Sequence, residues 1–152
     1  MRIIDAHAHV GSCNVFDLNI TEDELLKGMD QHGVHTSITQ PFPGAPDPEG
    51  VHNQIAALGK RYPGRFYGVA SINPHFGERC FTEMRRCVKD LGFVGVKMHT
   101  IGHAVIPGTK VGIKLAELAL ELNVPLLVHT GPGAPIALPI MCLPLARRFP
   151  GP

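Results

Sequence analysis

The chain has 152 residues, of which 44% are hydrophobic and 18% charged, and its formal net charge is +1. This length allows one domain with an apolar core and is short for two, and the composition argues against disorder. No stretch is dominated by one sign of charge, so we expect neither a nucleic-acid nor a membrane partner. No apolar run approaches the length of a membrane span, and the first residues lack the pattern of a secretion signal, so we expect a cytoplasmic protein.

Four cysteines are scattered along the chain without C-x-x-C spacing: Cys13, Cys80, Cys87 and Cys142. Cys80 and Cys87 are seven residues apart in a segment with helical periodicity, where they would share a face. We therefore expect reduced thiols in or near the core rather than disulfides or a cysteine metal site.

Five short apolar runs rich in β-branched residues recur about every 30 residues and predict strands. The predicted strands cover residues 3–9, 34–39, 66–72, 93–99 and 125–129. Helical patterns lie between them. The first helix begins at a capping box, Thr21 to Glu24, and ends at Gly33. Later helices are predicted around 51–58, 81–88, 113–122 and 140–149, the last interrupted by Pro139 and Pro144.

Strands and helices that alternate at this spacing indicate right-handed βαβ units and a parallel sheet. Long loops follow the second and fourth strands, so we expect functional residues at the carboxyl ends of the strands. Two architectures remain open at this point. One is a complete doubly wound sheet of the flavodoxin type; the other is part of an eight-unit barrel, which needs about 250 residues. Spacing and length alone slightly favour the complete sheet.

Histidines stand at the ends of the first and fifth strands. Alternation places His7 and His9 on one side of the first strand, and Asp5 with them. His129 ends the fifth strand, which lies across a closed barrel from the first. One strand-end histidine is usually an ordinary polar residue, but this set predicts a divalent metal site. Zinc is the expected ion, and manganese or iron would also suit nitrogen ligands.

Several segments resemble one family. The opening Ile-Ile-Asp-Ala-His-Ala-His-Val is similar to the first strand of the amidohydrolase superfamily, in its amidohydrolase-related (amidohydrolase 2) branch. Segments 92–99, 124–131 and 145–150 resemble its fourth strand, its fifth strand and the helix before its sixth strand. The resemblance covers essentially the whole chain. It implies a single partial domain over 1–152, the parallel (βα)5 portion of a TIM (β/α)8 barrel. It also implies a metal-dependent hydrolase, or a metal-assisted decarboxylase, of a small-molecule substrate.

The resemblance also implies a histidine on strand six and an aspartate on strand eight, whereas this sequence stops at 150–152, before strand six. We therefore expect metal binding with weak or absent hydrolysis in the isolated chain, and a homo-oligomer or a partner chain that completes the barrel. One alternative is a non-catalytic fragment that self-associates through open barrel edges. Another is the flavodoxin-like sheet with a phosphate or flavin ligand, although no glycine-rich fingerprint follows the first strand.

The resemblance places Lys97 beside a mononuclear metal site as a catalytic residue; in other branches such a lysine is carboxylated and bridges two metals. Alternation puts Lys97 and His99 on one face, and we interpret His99 and His103 as substrate-binding residues or ordinary polar ones. Phe42 and Phe76 follow strands, where they would line a pocket or pack in the core. Solvent-exposed positions are predicted for His32, His35 and His52.

Overall fold

A computed structural model describes residues 1–149, which contain one six-stranded sheet. The strands are β1 Ile3–Cys13, β2 Leu18–Ile20, β3 Val34–Pro41, β4 Phe66–Ala70, β5 Gly95–Met98 and β6 Leu126–Val128. All five predicted strands are present as β1, β3, β4, β5 and β6, and neighbouring members of this set are parallel. The expectation about residues 150–152 lies outside the described residues.

The helices fill the intervals between the parallel strands. They are α1 Glu22–Gln31, α2 Pro48–Arg61, α3 Glu78–Lys89, α4 Lys110–Glu121 and α5 Leu143–Arg148. The capping box at Thr21 is formed, with its hydroxyl accepting from the Glu24 N–H. The last predicted helix is divided into a 3₁₀ turn, Pro139–Cys142, and the short α5. Pro144 stands in the first turn of α5, where a missing N–H costs nothing.

The order of the parallel strands in the sheet is the order of the chain. A doubly wound sheet needs a reversal of strand order, with helices on both faces. Here no reversal occurs among residues 1–149, as in a barrel. The flavodoxin-like alternative is therefore wrong.

The sheet is curled rather than flat. β3 and β4 lie between β1 and β5, so three inter-strand spacings would separate β1 from β5 by about 14 Å in a flat sheet. Nevertheless, Nζ of Lys97 on β5 lies 3.3 Å from Nε2 of His7 on β1. The concave face of the sheet therefore brings distant strands together, as the inside of a barrel does.

The two faces of the sheet differ in chemistry. The convex face packs against the helices through the main apolar core, which includes Val10, Ala70, Val96 and Met98 from the strands. The alternate positions carry polar groups on the concave face, among them Lys97 and His99. This alternation is why the strand-end polar residues converge.

A bulge in β1 corrects one prediction. Asp5 pairs with Ser37 and Ala8 with Thr39, so three steps along β1 match two along β3. Asp5 therefore shares the face of Ala8, not that of His7 and His9. Its carboxylate accepts a hydrogen bond of 2.9 Å from the backbone N–H of His7, which stabilises the bulge.

A hairpin at the end of β1 was not predicted. Gly11 to Cys13 pair antiparallel with β2, which has only three residues and no measurable alternation in sequence. The turn before it places Asp17 at a positive φ of 49°. Such short strands depend on their neighbour for definition, so local sequence gives little indication of them.

The cysteine expectation is confirmed: all four thiols are unpaired, with Cys13, Cys80 and Cys87 buried and Cys142 half-buried. Within the described part of the chain, every helix is too short or too polar to cross a bilayer.

Candidate metal centre

His7 and His9 present their ring nitrogens to each other on the concave face. The two Nε2 atoms are 3.2 Å apart, and the ring centroids are separated by 5.0 Å. Both rings project from β1, where His9 pairs with Gln40 of β3 and the backbone of His7 is held in the bulge by Asp5. The pair therefore has the convergence that alternation along a strand predicts.

The surroundings of His9 decide which of its nitrogens is free. Its Nδ1 lies 3.1 Å from the carbonyl oxygen of Pro41, which can only accept, so Nδ1 carries the proton. Burial, reinforced by neighbouring His7, lowers the pKa of His9 to about 4. His9 is therefore neutral at pH 7, with a lone pair on Nε2. The ring of Phe42 stacks on it with centroids 4.6 Å apart.

Lys97 completes the contact between β1 and β5. It is only 3% exposed, and its ammonium lies 3.3 Å from Nε2 of His7. Burial lowers the pKa of Lys97 to about 8, and burial together with the charge of Lys97 lowers the pKa of His7. Since an ammonium can only donate, Nε2 of His7 is unprotonated and accepts the hydrogen bond from Lys97.

His129 follows β6 and lies against the end of β5. Its ring stacks on that of His99, with centroids 4.1 Å apart and planes inclined by 15°. Nδ1 of His99 accepts from the backbone N–H of Gly102 at 2.9 Å, so the neutral ring carries its proton on Nε2. Burial, followed by the neighbouring His129, lowers the pKa of His99 to about 3. Burial and the charge of Lys97 lower the pKa of His129.

The ring of His103 lies beside that of His99, with centroids 5.8 Å apart. It is 3% exposed, and its Nδ1 has no hydrogen-bond partner within residues 1–149. Phe76 is exposed. Of the two predicted substrate-binding histidines, His99 therefore lies beside His129, and His103 lies beside His99.

The structure brings together His7, His9 and Lys97 on one side and His99 and His129 on the other. The charge of Lys97 acts on both His7 and His129, and His129 acts on His7. The nitrogens of His7, His9 and His129 do not all lie within 4.8 Å of one another, since within residues 1–149 only one other group of potential ligands meets that spacing.

That group is His52, Glu83 and Cys87, all buried. The prediction of an exposed His52 is wrong: it is fully buried on α2. Its Nδ1 donates to Glu83 at 2.8 Å, and its Nε2 accepts from the N–H of Ser71 at 3.1 Å. Arg86 also pairs with Glu83 through two hydrogen bonds of 2.7 Å. Every ligand atom of the histidine is occupied, so this group is a structural network rather than a metal site.

The sequence did contain a signal for this burial. In the helix predicted around 51–58, His52 shares a face with Ile55 and Leu58 at spacings of three residues, and this is the face that α2 buries. A histidine on that face needs hydrogen-bond partners, and those come from β4 and α3, which no local pattern identifies.

The donor set at His7 and His9 fits a divalent cation. The Nε2 atoms of His7 and His9 are both unprotonated acceptors and lie 3.2 Å apart, a spacing at which one cation can be bound by both. The proton on Nδ1 of His9, held by Pro41, leaves Nε2 as the ligand atom, which is how metal-binding histidines are oriented in proteins.

Comparison with known families agrees with this chemistry. The family model described as amidohydrolase (Amidohydro_2) matches residues 4–151. The chain belongs to the amidohydrolase family. This confirms the resemblance drawn from the strand-end motifs.

Solved structures similar to this amidohydrolase chain have low sequence identity and support the fold. A 2,6-dihydroxybenzoate decarboxylase from Rhizobium is 21% identical, with a TM-score of 0.67, covering 100% of this chain and 56% of its own. A 4-oxalomesaconate hydratase from Rhodopseudomonas palustris is 20% identical, with a TM-score of 0.66. The match covers 97% of this chain and 60% of the hydratase chain.

A third similar structure is a 5-carboxyvanillate decarboxylase from Novosphingobium aromaticivorans, complexed with manganese and a nitrobenzoic acid. It is 14% identical, with a TM-score of 0.67, covering 86% of this chain and 50% of its own. The amidohydrolase chain thus spans about half the length of these enzymes, and its curled sheet corresponds to part of a TIM barrel.

Proposed function

We propose that this chain carries the metal-binding part of a divalent-metal-dependent amidohydrolase-type enzyme acting on small substrates that bear a carboxylate. The reaction is hydrolysis or decarboxylation. The observation that carries the proposal is the meeting, on the concave face, of two neutral imidazoles with a buried ammonium that donates to one of them.

The charge balance of the site supports an anionic substrate. Within residues 1–149, the hydrogen-bonding side chain beside the Lys97 ammonium is that of His7, which is neutral. Asp5, the nearest carboxylate along β1, is turned to the other face by the bulge. A buried positive charge without an acidic partner is costly unless a ligand supplies the negative charge. Lys97 would therefore bind the carboxylate of the substrate.

His7 and His9 would hold the cation, and His129 would become the third ligand by moving closer to this pair than it stands here. A divalent ion bound there supplies Lewis acidity toward a carbonyl or carboxylate oxygen. The Nε2 proton of His99 is available as a hydrogen-bond donor to the substrate, because its Nδ1 is engaged by Gly102. His103, buried beside His99, is proposed as a second substrate-binding residue.

Zinc remains the ion proposed from the sequence, since imidazole ligands suit it. The manganese in the similar 5-carboxyvanillate decarboxylase makes Mn²⁺ the principal competitor. Parallel titrations of the metal-free chain with each ion distinguish the two by affinity.

Metal analysis of the purified chain tests the proposal. We expect about one equivalent of divalent metal in the wild type and loss of that metal in a His7→Ala/His9→Ala variant. His35→Ala is the matched control, because His35 is exposed and contacts the backbone of Ile3, at the end of β1 opposite to His9. The proposal is wrong if the double variant and the wild type contain the same amount of metal.

Turnover is tested separately. Release of CO₂ from aromatic carboxylates and hydrolysis of small amides are measured with the metal-loaded chain. Lys97→Met keeps the length of the side chain but removes the charge. This variant should bind carboxylate inhibitors more weakly than the wild type while retaining its metal. Equal inhibition of the Lys97→Met and wild-type chains would remove the anionic-substrate part of the proposal.

A second candidate is association through the open edges of the sheet. Beside β6 lies an apolar groove of about 560 Å³, lined by Leu120, Val124, Leu126 and Phe149 among others. Leu120 is 69% exposed there. Such a surface on a monomer indicates a contact site. We propose that a second copy covers it, rather than a different completing chain.

Sedimentation velocity tests this association. Leu120→Glu should shift a dimer toward monomer, whereas Phe16→Glu, at an exposed apolar side chain in the β1–β2 turn, should not. A monomeric wild type over the micromolar range would exclude the second candidate.

A cytoplasmic location is also part of the proposal, and cell fractionation tests it.

A further inference from the structure

The third proposed ligand, His129, is held very differently from the first two. His7 and His9 lie within an 11-residue strand that pairs with β3 on both sides of the bulge containing His7. His129 lies just beyond β6, a three-residue strand whose residues are all half-buried. Within residues 1–149, β6 pairs only with β5. The position of His129 therefore depends on contacts from the end of β5.

Three consecutive residues of that end hold His129. The carbonyl of Met98 accepts from the His129 N–H at 2.9 Å. The ring of His99 stacks on the His129 ring. The hydroxyl of Thr100 donates to the His129 carbonyl oxygen at 2.8 Å. The backbone N–H, the ring and the backbone carbonyl of His129 are therefore all held by residues 98–100.

Thr100 is the member of this set whose role can be separated from the others. It is fully buried, and its hydroxyl joins two chain segments 29 residues apart. The Met98 contact is made by the backbone, and His99 is proposed to face substrate. We infer that Thr100 is a positioning residue, which sets the direction of His129 toward the metal through its hydrogen bond. This inference rests on the proposed function.

Groups that orient metal ligands typically contribute 10- to 100-fold to metal affinity. Thr100→Val removes the hydroxyl while conserving the shape of the side chain. We expect the affinity of the variant for Zn²⁺ or Mn²⁺ to fall about ten-fold. Thr100→Ser, which retains the hydroxyl, should keep most of the metal affinity of the wild type.

Thr36→Val is the matched control. Thr36 is 8% exposed, and its hydroxyl donates to the Gly64 carbonyl at 2.9 Å, the same chemistry at the opposite end of the sheet. A purely structural role would give the two valine variants similar losses of stability and unchanged metal affinity. Loss of affinity in Thr100→Val but not in Thr36→Val supports the positioning role.

A readout without metal separates this inference from the proposed function. Amide hydrogen exchange at His129 should become about ten-fold faster in Thr100→Val and stay unchanged in Thr36→Val, because the hydroxyl restrains that segment locally. If the wild type binds neither ion but the exchange rates at His129 change as expected, the metal site is wrong and the positioning of His129 by Thr100 stands. Equal exchange rates at His129 in Thr100→Val and wild type would overturn the positioning role, whatever the metal result.

Discussion

Nδ1 of His52 lies 2.8 Å from Oε1 of Glu83 in the interior between α2 and α3. The other ring nitrogen accepts from the backbone N–H of Ser71 at the end of β4. One side chain thus ties two helices to the strand that adjoins β5. Since β5 carries Lys97, this network supports the site from the helical layer.

Loss of the His52 side chain should destabilise the protein strongly. His52→Ala leaves the Glu83 carboxylate and the Ser71 N–H without their partner in a dry environment. We expect the free energy of unfolding to fall by about 3 kcal/mol or more. Urea denaturation measures this. His32→Ala, at an exposed histidine, should change the value by less than about 0.5 kcal/mol. Similar losses in the two variants would contradict the structural role of His52.

Glu83 should make the stability of the protein sensitive to acid. Burial alone would raise the pKa of Glu83, but hydrogen bonds from His52 and Arg86 outweigh it and hold the pKa at about 2. The folded pKa lies below the ordinary value of 4.5, so this stabilisation is complete above about pH 5. It is lost as the pH falls from there toward 2, because the unfolded chain takes up the proton first.

In Glu83→Gln, the free energy of unfolding should therefore fall less steeply with decreasing pH than in the wild type. Unfolding free energies at three or four pH values between about 3 and 7 provide the measurement. Glu117→Gln, at an exposed carboxylate whose ion-pair partner within residues 1–149 is Arg148, serves as the control. If Glu83→Gln lost stability toward acid as steeply as wild type, the carboxylate would not be the group responsible.

Phe42 should support metal binding through His9. Its ring is 9% exposed and stacks on His9 with planes inclined by 13°. Phe42→Leu keeps apolar volume but removes the stacked ring, at a cost of about 1 kcal/mol in stability. We expect a several-fold loss of metal affinity, measured by titration, because the His9 ring gains freedom. Phe66→Leu, in the separate core with Met29 and Leu58, should cost similar stability without that loss. Indistinguishable affinities of the two variants would refute the link.

The thiols should differ sharply in reactivity. Cys13, Cys80 and Cys87 are at most 1% exposed, and burial raises the pKa of Cys80 to about 12. Cys142 is only half-buried. Because thiolate and access both control reaction, one thiol should react quickly with a disulfide reagent in the folded state, and all four in denaturant. Cys142→Ser should abolish the fast phase; its persistence would place the reactive thiol elsewhere.

Much of the site follows from periodicity. Alternation along the first strand correctly brings His7 and His9 together, and regular spacing of the βα units correctly puts the ends of the strands at one rim. The placement of Asp5 fails because a bulge adds one residue to β1, and a bulge depends on the register with β3. The exposure of His52 fails because the partners that satisfy it, Ser71 and Glu83, are 19 and 31 residues away.

The sequence by itself determined the alternation of strands and helices, the family, and the residue types at the strand ends. These depend on local spacing, which a single chain segment carries. Only the tertiary structure decided that the sheet curls enough for Lys97 to reach His7, that Pro41 selects the free nitrogen of His9, and that Thr100 holds His129. Each of these contacts joins segments about 30 or more residues apart, and their geometry is set by strand twist and register summed over the whole sheet.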